Sequence, residues 1–447
     1  MKKTWKLFLL PLLLAAAPAG TQARQWTLQQ CISYALEHNI TLQKNRLSKL
    51  SAYEDVKQSQ AALLPSLSAS TSHNVTYNPW PETGSYTIQG SKVESSVDKV
   101  YYNGSYGINA NWTVWNGNRN RNQLKVSKLT EQQAELDSAT TALSIQEQIA
   151  NLYVQILYST EAIKVNKQSL ETSRSNEKRG QEMVEVGKMS KADLSQLTAQ
   201  RAQDEYNVVA AETALSDYKR QLKQLLQITD EDAFDVVIPT TTDDMALQAI
   251  PALHDVYTAA LETRPEIQNA LLGIKTQDLN IKLAKAQRLP TIGLNANAST
   301  ATASLNDHAW GTQLKNNFGL GGGLTVSIPL FDQRQTKTAV NKAILQKQSY
   351  QLDLQNQQTT LFSTIENYWL QATSNQSKFR AAKTSAESAQ ASYDLLSEQF
   401  KLGLKNIVEL MNGKDQLLQA QQNELQSKYL AILNIDMLRF YESGQLK

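Results

Sequence analysis

Few residues in this chain have types and spacings that support catalysis. The four histidines, His38, His73, His254 and His308, show no metal-ligand spacing, and Cys31 is the single cysteine. One cysteine excludes an internal disulfide framework and any multi-cysteine zinc site. Its context, TLQQC, has no small residues before it and reads as a buried small apolar position, not a lipid-attachment site. Gly319, Gly321, Gly322 and Gly323 superficially suggest a phosphate loop. They lie in an alternating strand pattern, without the lysine and helix start that such a loop requires. No enzymatic activity, metal or cofactor is expected. What remains is a pair of glycine-centred segments, VEVGKMSKADL at 184–194 and FKLGLKNIVEL at 400–410. They align Gly187 with Gly403 and Asp193 with Glu409, and glycine suits a tight turn because it has no Cβ.

The elements that position these turns are written twice. ALEHNITLQ…QAALLPS at 35–66 returns as ALETRPEIQ…KAQRLPT at 260–291, shifted by 225 residues without a gap and with nine identities. TVWNGNR at 113–119 is echoed by PLFDQR at 329–334, and the two glycine turns are likewise 216 apart. Pro65 to Trp115 spans 50 positions but Pro290 to Phe331 spans 41, whereas Trp115 to Gly187 and Phe331 to Gly403 both span 72. The segment that keeps its length to the residue behaves as a helix spanning a fixed distance. A period this long is no solenoid repeat; one large unit is duplicated.

The 447 residues are 41% hydrophobic and 19% charged, with a net charge of +2. That balance gives no case for nucleic acid. A basic start at Met1-Lys2-Lys3, an apolar run from Leu7 to Ala17 and small residues through Ala19 and Ala23 read as an export signal over 1–23. Beyond residue 24 no window approaches the ~18–20 apolar residues of a membrane helix.

Helical spacing runs from Trp26 to Ala62, with Thr27 as a cap and Pro65 as a stop. In the second copy Pro265, opposite Ile40, breaks the segment. The period then changes from 3.6 to 2. Strands with one apolar and one small polar face are expected over 66–77 and 102–114, separated by a polar loop over 80–98. A second pair is expected over 292–299 and 318–330, around a shorter loop near 304–316. Proline-free helical patterns of about 70 residues follow near 118–185 and 333–401, with leucines and tyrosine at sevenfold spacing. At 1.5 Å per residue each makes a rod of roughly 100 Å. Helices of about 40 residues return near 190–227 and 405–442. The mixed segment 228–251 reads as a linker with a strand or loop patch at Val236–Ile238. The organisation is therefore a first repeat over 24–227, the linker, and a second repeat over 252–447.

Four amphipathic strands cannot be stable alone beside such rods. A closed barrel removes sheet edges, but the smallest transmembrane barrels have about 8 strands. Several chains must therefore combine, and three would supply twelve strands, with apolar faces to lipid and Ser/Asn/Gly/Thr faces to a watery lumen. Tyr77, Trp80, Tyr101, Trp112, Trp115, Trp310 and Phe318 fall near strand ends or within strands, either as an interfacial girdle or packed within the strand face.

On the duplicated order, the Leu-Pro before each first strand, the PLFD-like segment and the glycine turn followed by an acidic residue, the chain resembles the TolC-type outer-membrane efflux family over nearly its whole mature length. The resemblance implies an α+β membrane protein. Its long-helix coiled-coil barrel would carry β-hairpins that complete a 12-stranded outer-membrane barrel in a homotrimer. It implies an exit duct for drugs or toxic compounds, joined to a periplasmic adaptor and an inner-membrane transporter. It implies that Val186, Gly187, Lys188, Met189 and Ser190, with Leu402, Gly403, Leu404, Lys405 and Asn406, dock adaptor tips. Glu409 takes the place of an acidic ring at the gate. Asn412 stands where a second ring would lie, so a double ring is not expected. Lys405 resembles a basic latch and Asp193 its acceptor. Two alternatives stand beside efflux: the outlet of a type I protein secretion system, and a non-conducting trimeric surface stalk.

Overall fold

The computed structural model describes residues 24–80, 84–88, 91–95, 98–229, 234–306 and 308–446. The expected export signal over 1–23 lies outside them.

Chain order begins with β1 (Arg24–Trp26), α1 (Leu28–His38) and α2 (Ile40–Ala61). Thr27 caps α1 as expected. Its Oγ1 accepts from Gln30 N at 3.2 Å, and Gln30 Oε1 accepts from Thr27 N at 3.0 Å, a reciprocal capping box. The opening helix is not continuous in the first copy. Asn39 is extended (φ −63°, ψ 123°) and buried. Its Nδ2 donates to the Leu225 carbonyl at 3.1 Å. A buried amide therefore interrupts the first copy where Arg264, held extended by Pro265, interrupts the second.

Next come β2 (Ser66–Tyr77), β3 (Gly84–Ile88), β4 (Ser91–Ser95) and β5 (Val100–Trp115). The loop expected over 80–98 thus contains a hairpin, with Gly84 opposite Ser95 and Ile88 opposite Ser91. Then α3 (Arg119–Glu185), α4 (Lys191–Leu226), β6 (Phe234–Val236) and α5 (Asp243–Ala246) lead to the second copy. It contains α6 (Leu253–Thr263), α7 (Pro265–Ala286), β7 (Thr291–Ala303), α8 (Trp310–Asn316), β8 (Gly319–Ser327), α9 (Gln335–Lys401) and α10 (Ile407–Ser443). The long helices α3 and α9 are both 67 residues. The expected loop near 304–316 contains the short helix α8, and Ile328 and Leu330 fall beyond β8.

The chain folds into two compact units, and each draws on both copies of the duplication. Unit 2, Thr41–Thr141 with Tyr257–Thr364, contains an open antiparallel sheet in the order β2-β5-β7-β8. Leu67 pairs with Ala110, Ala110 with Ala296, and Ala296 with Gly322, so one face gathers the apolar positions. Large side chains on that face lie bare, with Leu67 75% and Leu320 78% exposed. The other face is mostly serine, threonine, asparagine and glycine, with Tyr101, Ala301 and Ala303 at the end away from the helices. None of the four strands contains Asp, Glu, Lys or Arg.

The helices of unit 2 keep the order of their strands. Ser59 and Ser127 hydroxyls meet at 2.8 Å and tie α2 to α3. Gln133 Nε2 donates to Asn269 Oδ1 at 3.1 Å, from α3 to α7. Lys347 and Asp278 pair at 2.8 Å, from α9 to α7.

Unit 1 takes the segment up to Ile40, Ala142–Val256 and the chain from Ile365. β1 pairs in parallel with β6, Arg24 opposite Phe234. The strand patch expected at 236–238 lies at 234–236, with a partner strand that periodicity did not reveal. Asp243 is held by Lys383 at 2.6 Å and Lys428 at 2.8 Å, which fixes α5 to α9 and α10. These two ammonium donors hold the Asp243 carboxyl below its ordinary range. Cys31 is fully buried, as expected, and burial pushes its thiol up to about 12, which makes it unreactive.

Candidate functional site

Both glycine turns are built from backbone first. At the first, Lys188 N donates to the Met183 carbonyl at 2.7 Å and Gly187 N to the Val184 carbonyl at 3.0 Å. At the second, Leu404 N donates to Gln399 at 2.9 Å and Gly403 N to Phe400 at 3.0 Å. Each is a Schellman closure, which needs a left-handed residue just after the helix. Gly187 (φ 71°) and Gly403 (φ 74°) supply it. The next helix is then capped by a side chain. Ser190 Oγ accepts from Asp193 N at 3.0 Å, and Asn406 Oδ1 accepts from Glu409 N at 2.9 Å.

The two turns present different chemistry. Leu402, Leu404 and Val408 stand 73%, 71% and 51% exposed at the second turn, against Val186 at 68% at the first. Lys188, Ser190, Lys405 and Asn406 are also exposed. Met189 is half-buried. It packs inward on a core of Leu197, Phe400, Ile407 and Leu410 that joins α4 to α9 and α10.

Glu409 is doubly engaged. Its Oε1 accepts from Lys405 Nζ at 2.7 Å and its Oε2 from Asn406 N at 3.2 Å. Those donors, Lys405 first, hold the Glu409 carboxyl below its ordinary range. The structure therefore brings Lys405 together with Glu409. Among the described residues no ion pair joins Lys405 to Asp193. Asn412, one turn on, is exposed.

One feature of this region escaped sequence reading. Asp204 on α4 and Lys414 on α10 form an ion pair with both side chains buried, 1% and 5% exposed. Ser173 on α3 donates its hydroxyl to the same Asp204 oxygen. A signal was present. Asp204 follows buried Leu197 by seven residues, and Lys414 follows buried Ile407 by seven. Two opposite charges thus sit on the apolar stripes of helices that pack together.

The sequence profile described as outer membrane efflux protein matches residues 31–227 and 256–439. The chain belongs to that family. The match falls in two stretches, one per copy of the duplication, and skips the linker. This outer membrane efflux protein is 20% identical over 411 residues to the outer membrane efflux protein BepC of Brucella suis, covering 92% of this chain and 84% of BepC. It is 21% identical over 307 residues to the alkaline protease secretion protein AprF of Pseudomonas aeruginosa, covering 68% of this chain and 60% of AprF. Its fold is shared with the transmembrane channel CusC at a TM-score of 0.79, with 16% identity, 94% of this chain and 92% of CusC covered. The protein is a non-enzymatic outer-membrane efflux protein. No described helix is long and apolar enough to cross a membrane.

Proposed function

We propose that three copies form one outer-membrane exit duct, with a 12-stranded barrel closed by pairing β8 of each copy with β2 of the next. The observation that carries this is the open sheet of unit 2. Among the described residues its outer strands have no second neighbour, and a bare edge is a liability that closure removes. The uncharged polar face would line the lumen and the apolar face would meet lipid. Trp310 and Phe318, 58% and 56% exposed, suit an interfacial aromatic girdle. Residues 1–23 would be removed on export, leaving repeats over 24–227 and 252–447 joined by the 228–251 linker.

The two glycine turns would dock a periplasmic adaptor, which in turn engages an inner-membrane transporter. Exposed leucines on a turn fixed by its own backbone give such a partner a preformed apolar contact. Three Glu409 carboxylates around one axis would favour cations. Because Glu409 is held by Lys405, the latch and the ring act as one unit. Asp193 on the neighbouring hairpin would be the alternative acceptor for Lys405 when the gate is shut. Small toxic compounds are the proposed cargo. AprF, named for protease secretion, keeps protein export open as a second reading. Family membership favours a duct over a surface stalk.

The test is single-channel recording of purified protein in a planar bilayer, with detergent-corrected mass. A trimer with discrete cation-preferring steps, lowered in preference by Glu409→Gln, supports the duct. A stable trimer silent even as Lys405→Ala would overturn it.

A further inference from the structure

Unit 2 carries a cluster of unneutralised cations beside its strands. Helix α3 starts at Arg119, four residues after β5, and α7 ends at Ala286, five residues before β7. The first turn of α3 has no acidic residue, although the partial positive charge of a helix N-terminus favours one. Arg121 and Lys125 on α3 instead face Lys282 and Lys285 on α7 across a groove of about 560 Å³, floored by Gly117 and Leu289. None of these four cations forms an ion pair with a carboxylate among the described residues. The arrangement concentrates positive charge that no carboxylate among the described residues pairs with.

Two placements say what would supply that charge. The groove lies between α3 and α7, the inner pair in the order α2-α3-α7-α9, so a copy joined through β2 or β8 would flank α2 or α9 and leave it open. The large side chains at the adjoining strand ends are apolar and bare: Leu64 is 66%, Leu289 43%, Leu330 94% and Phe331 86% exposed. Exposed hydrocarbon bordered by cations matches the boundary between acyl chains and headgroups.

We propose that the α3–α7 groove binds the headgroup phosphate of an anionic phospholipid, in the leaflet where the strands join the helices. Arg121 can hold two phosphate oxygens in a bidentate fork, and the three lysines act as point charges around it. Leu289 and the neighbouring apolar residues accept the start of the acyl chains. This rests on the reading that the strands of unit 2 span the outer membrane.

The test uses the full chain reconstituted into vesicles of phosphatidylethanolamine alone or with phosphatidylglycerol. Flotation reports insertion. Mass spectrometry after detergent extraction reports the phosphatidylglycerol retained per protein. Each cation near an anionic surface strengthens association roughly fivefold. Lys125→Gln with Lys285→Gln should therefore lower retention about tenfold or more, and adding Arg121→Gln and Lys282→Gln should abolish the preference. Lys44→Gln with Lys49→Gln should leave it unchanged. Equal retention by wild type and both groove variants would overturn the proposal. So would unchanged retention with a shifted reversal potential in the groove variants, which would assign the cations to the conduit wall. Failure to float with either vesicle would overturn the membrane reading itself, and this proposal with it.

Discussion

The hairpins α3–α4 and α9–α10 make the same turn with exchanged parts. A Cβ on Gly180 of α3 would meet Leu197 Cδ1 of α4 at 2.5 Å, and a Cβ on Gly413 of α10 would meet Leu396 Cδ1 of α9 at 2.6 Å. Gly180 and Leu396 are 216 residues apart, as are Leu197 and Gly413. The knob is therefore on the returning helix in the first hairpin and on the outgoing helix in the second. Close packing of a helix pair requires one small residue at the crossing, but either helix can supply it. Below the crossing both turns close by the same backbone bonds, which frees their exposed side chains to differ. That freedom is used at Leu402 and Leu404, against Val186 and Lys188.

The largest expected effect breaks the hairpins apart. Asp204 and Lys414 join α4 of one hairpin to α10 of the other, and removing one partner leaves a buried charge unpaired. Lys414→Met should cost about 3–5 kcal/mol, read as a lower urea midpoint. The double variant Asp204→Leu with Lys414→Met should regain most of that loss. A cost well under 1 kcal/mol for the single change would show that the hairpins do not depend on this pair.

A smaller effect tests the exchanged parts directly. Gly180→Leu crowds Leu197 and should cost about 1–3 kcal/mol through overpacking. Combining it with Leu197→Gly transplants the second hairpin's arrangement into the first and should restore part of that loss, in the same urea assay. Non-recovery would mean that the surroundings, and not the pair, decide where the knob sits.

Smaller again is the cost of the turns themselves. A Cβ at Gly187 or Gly403 meets nothing within 4 Å, so Gly187→Ala and Gly403→Ala isolate the left-handed backbone. Each should cost about 1–2 kcal/mol. The two values should agree within a few tenths if the turns are equivalent in backbone terms.

How much of this was legible in sequence follows from which interactions are local. The 67-residue helices, the strand faces and the turn glycines follow from periodicity and from residues with special backbone behaviour. The break at Pro265 was readable for the same reason. Its counterpart at Asn39 was not, because an asparagine interrupts a helix only when a distant carbonyl, Leu225 here, receives its amide. The parallel pairing of Arg24–Trp26 with Phe234–Val236 joins segments about 210 residues apart, and three-residue strands carry no period. At the candidate site the caps were implicit in Ser190 and Asn406. The pairing of Lys405 with Glu409 is legible as an i,i+4 relation, whereas the family resemblance directs Lys405 to Asp193. Each member of the Asp204–Lys414 pair looks like an ordinary surface charge until two buried stripes are superposed.

The smallest expected effect is a pH dependence that distinguishes the two caps. Lys405 and the Asn406 N–H favour the ionised form of Glu409, so its carboxyl lies lower in the folded protein than in the unfolded chain. Such a group stabilises fully above its unfolded value and loses that contribution as pH falls through the depressed folded one. Glu409→Gln should therefore unfold at a slightly lower urea midpoint than wild type at neutral pH, and the gap should close as pH falls below the ordinary carboxylate range. Asn406→Ala removes a cap that does not titrate, and a carboxylate is no part of what Ser190 Oγ offers the first turn. The Ser190→Ala deficit should accordingly persist with little change across the same pH window. If the Glu409→Gln gap stayed constant into acid, the carboxylate would not be held by Lys405 in solution, and the two turns would be alike in charge as well as in backbone.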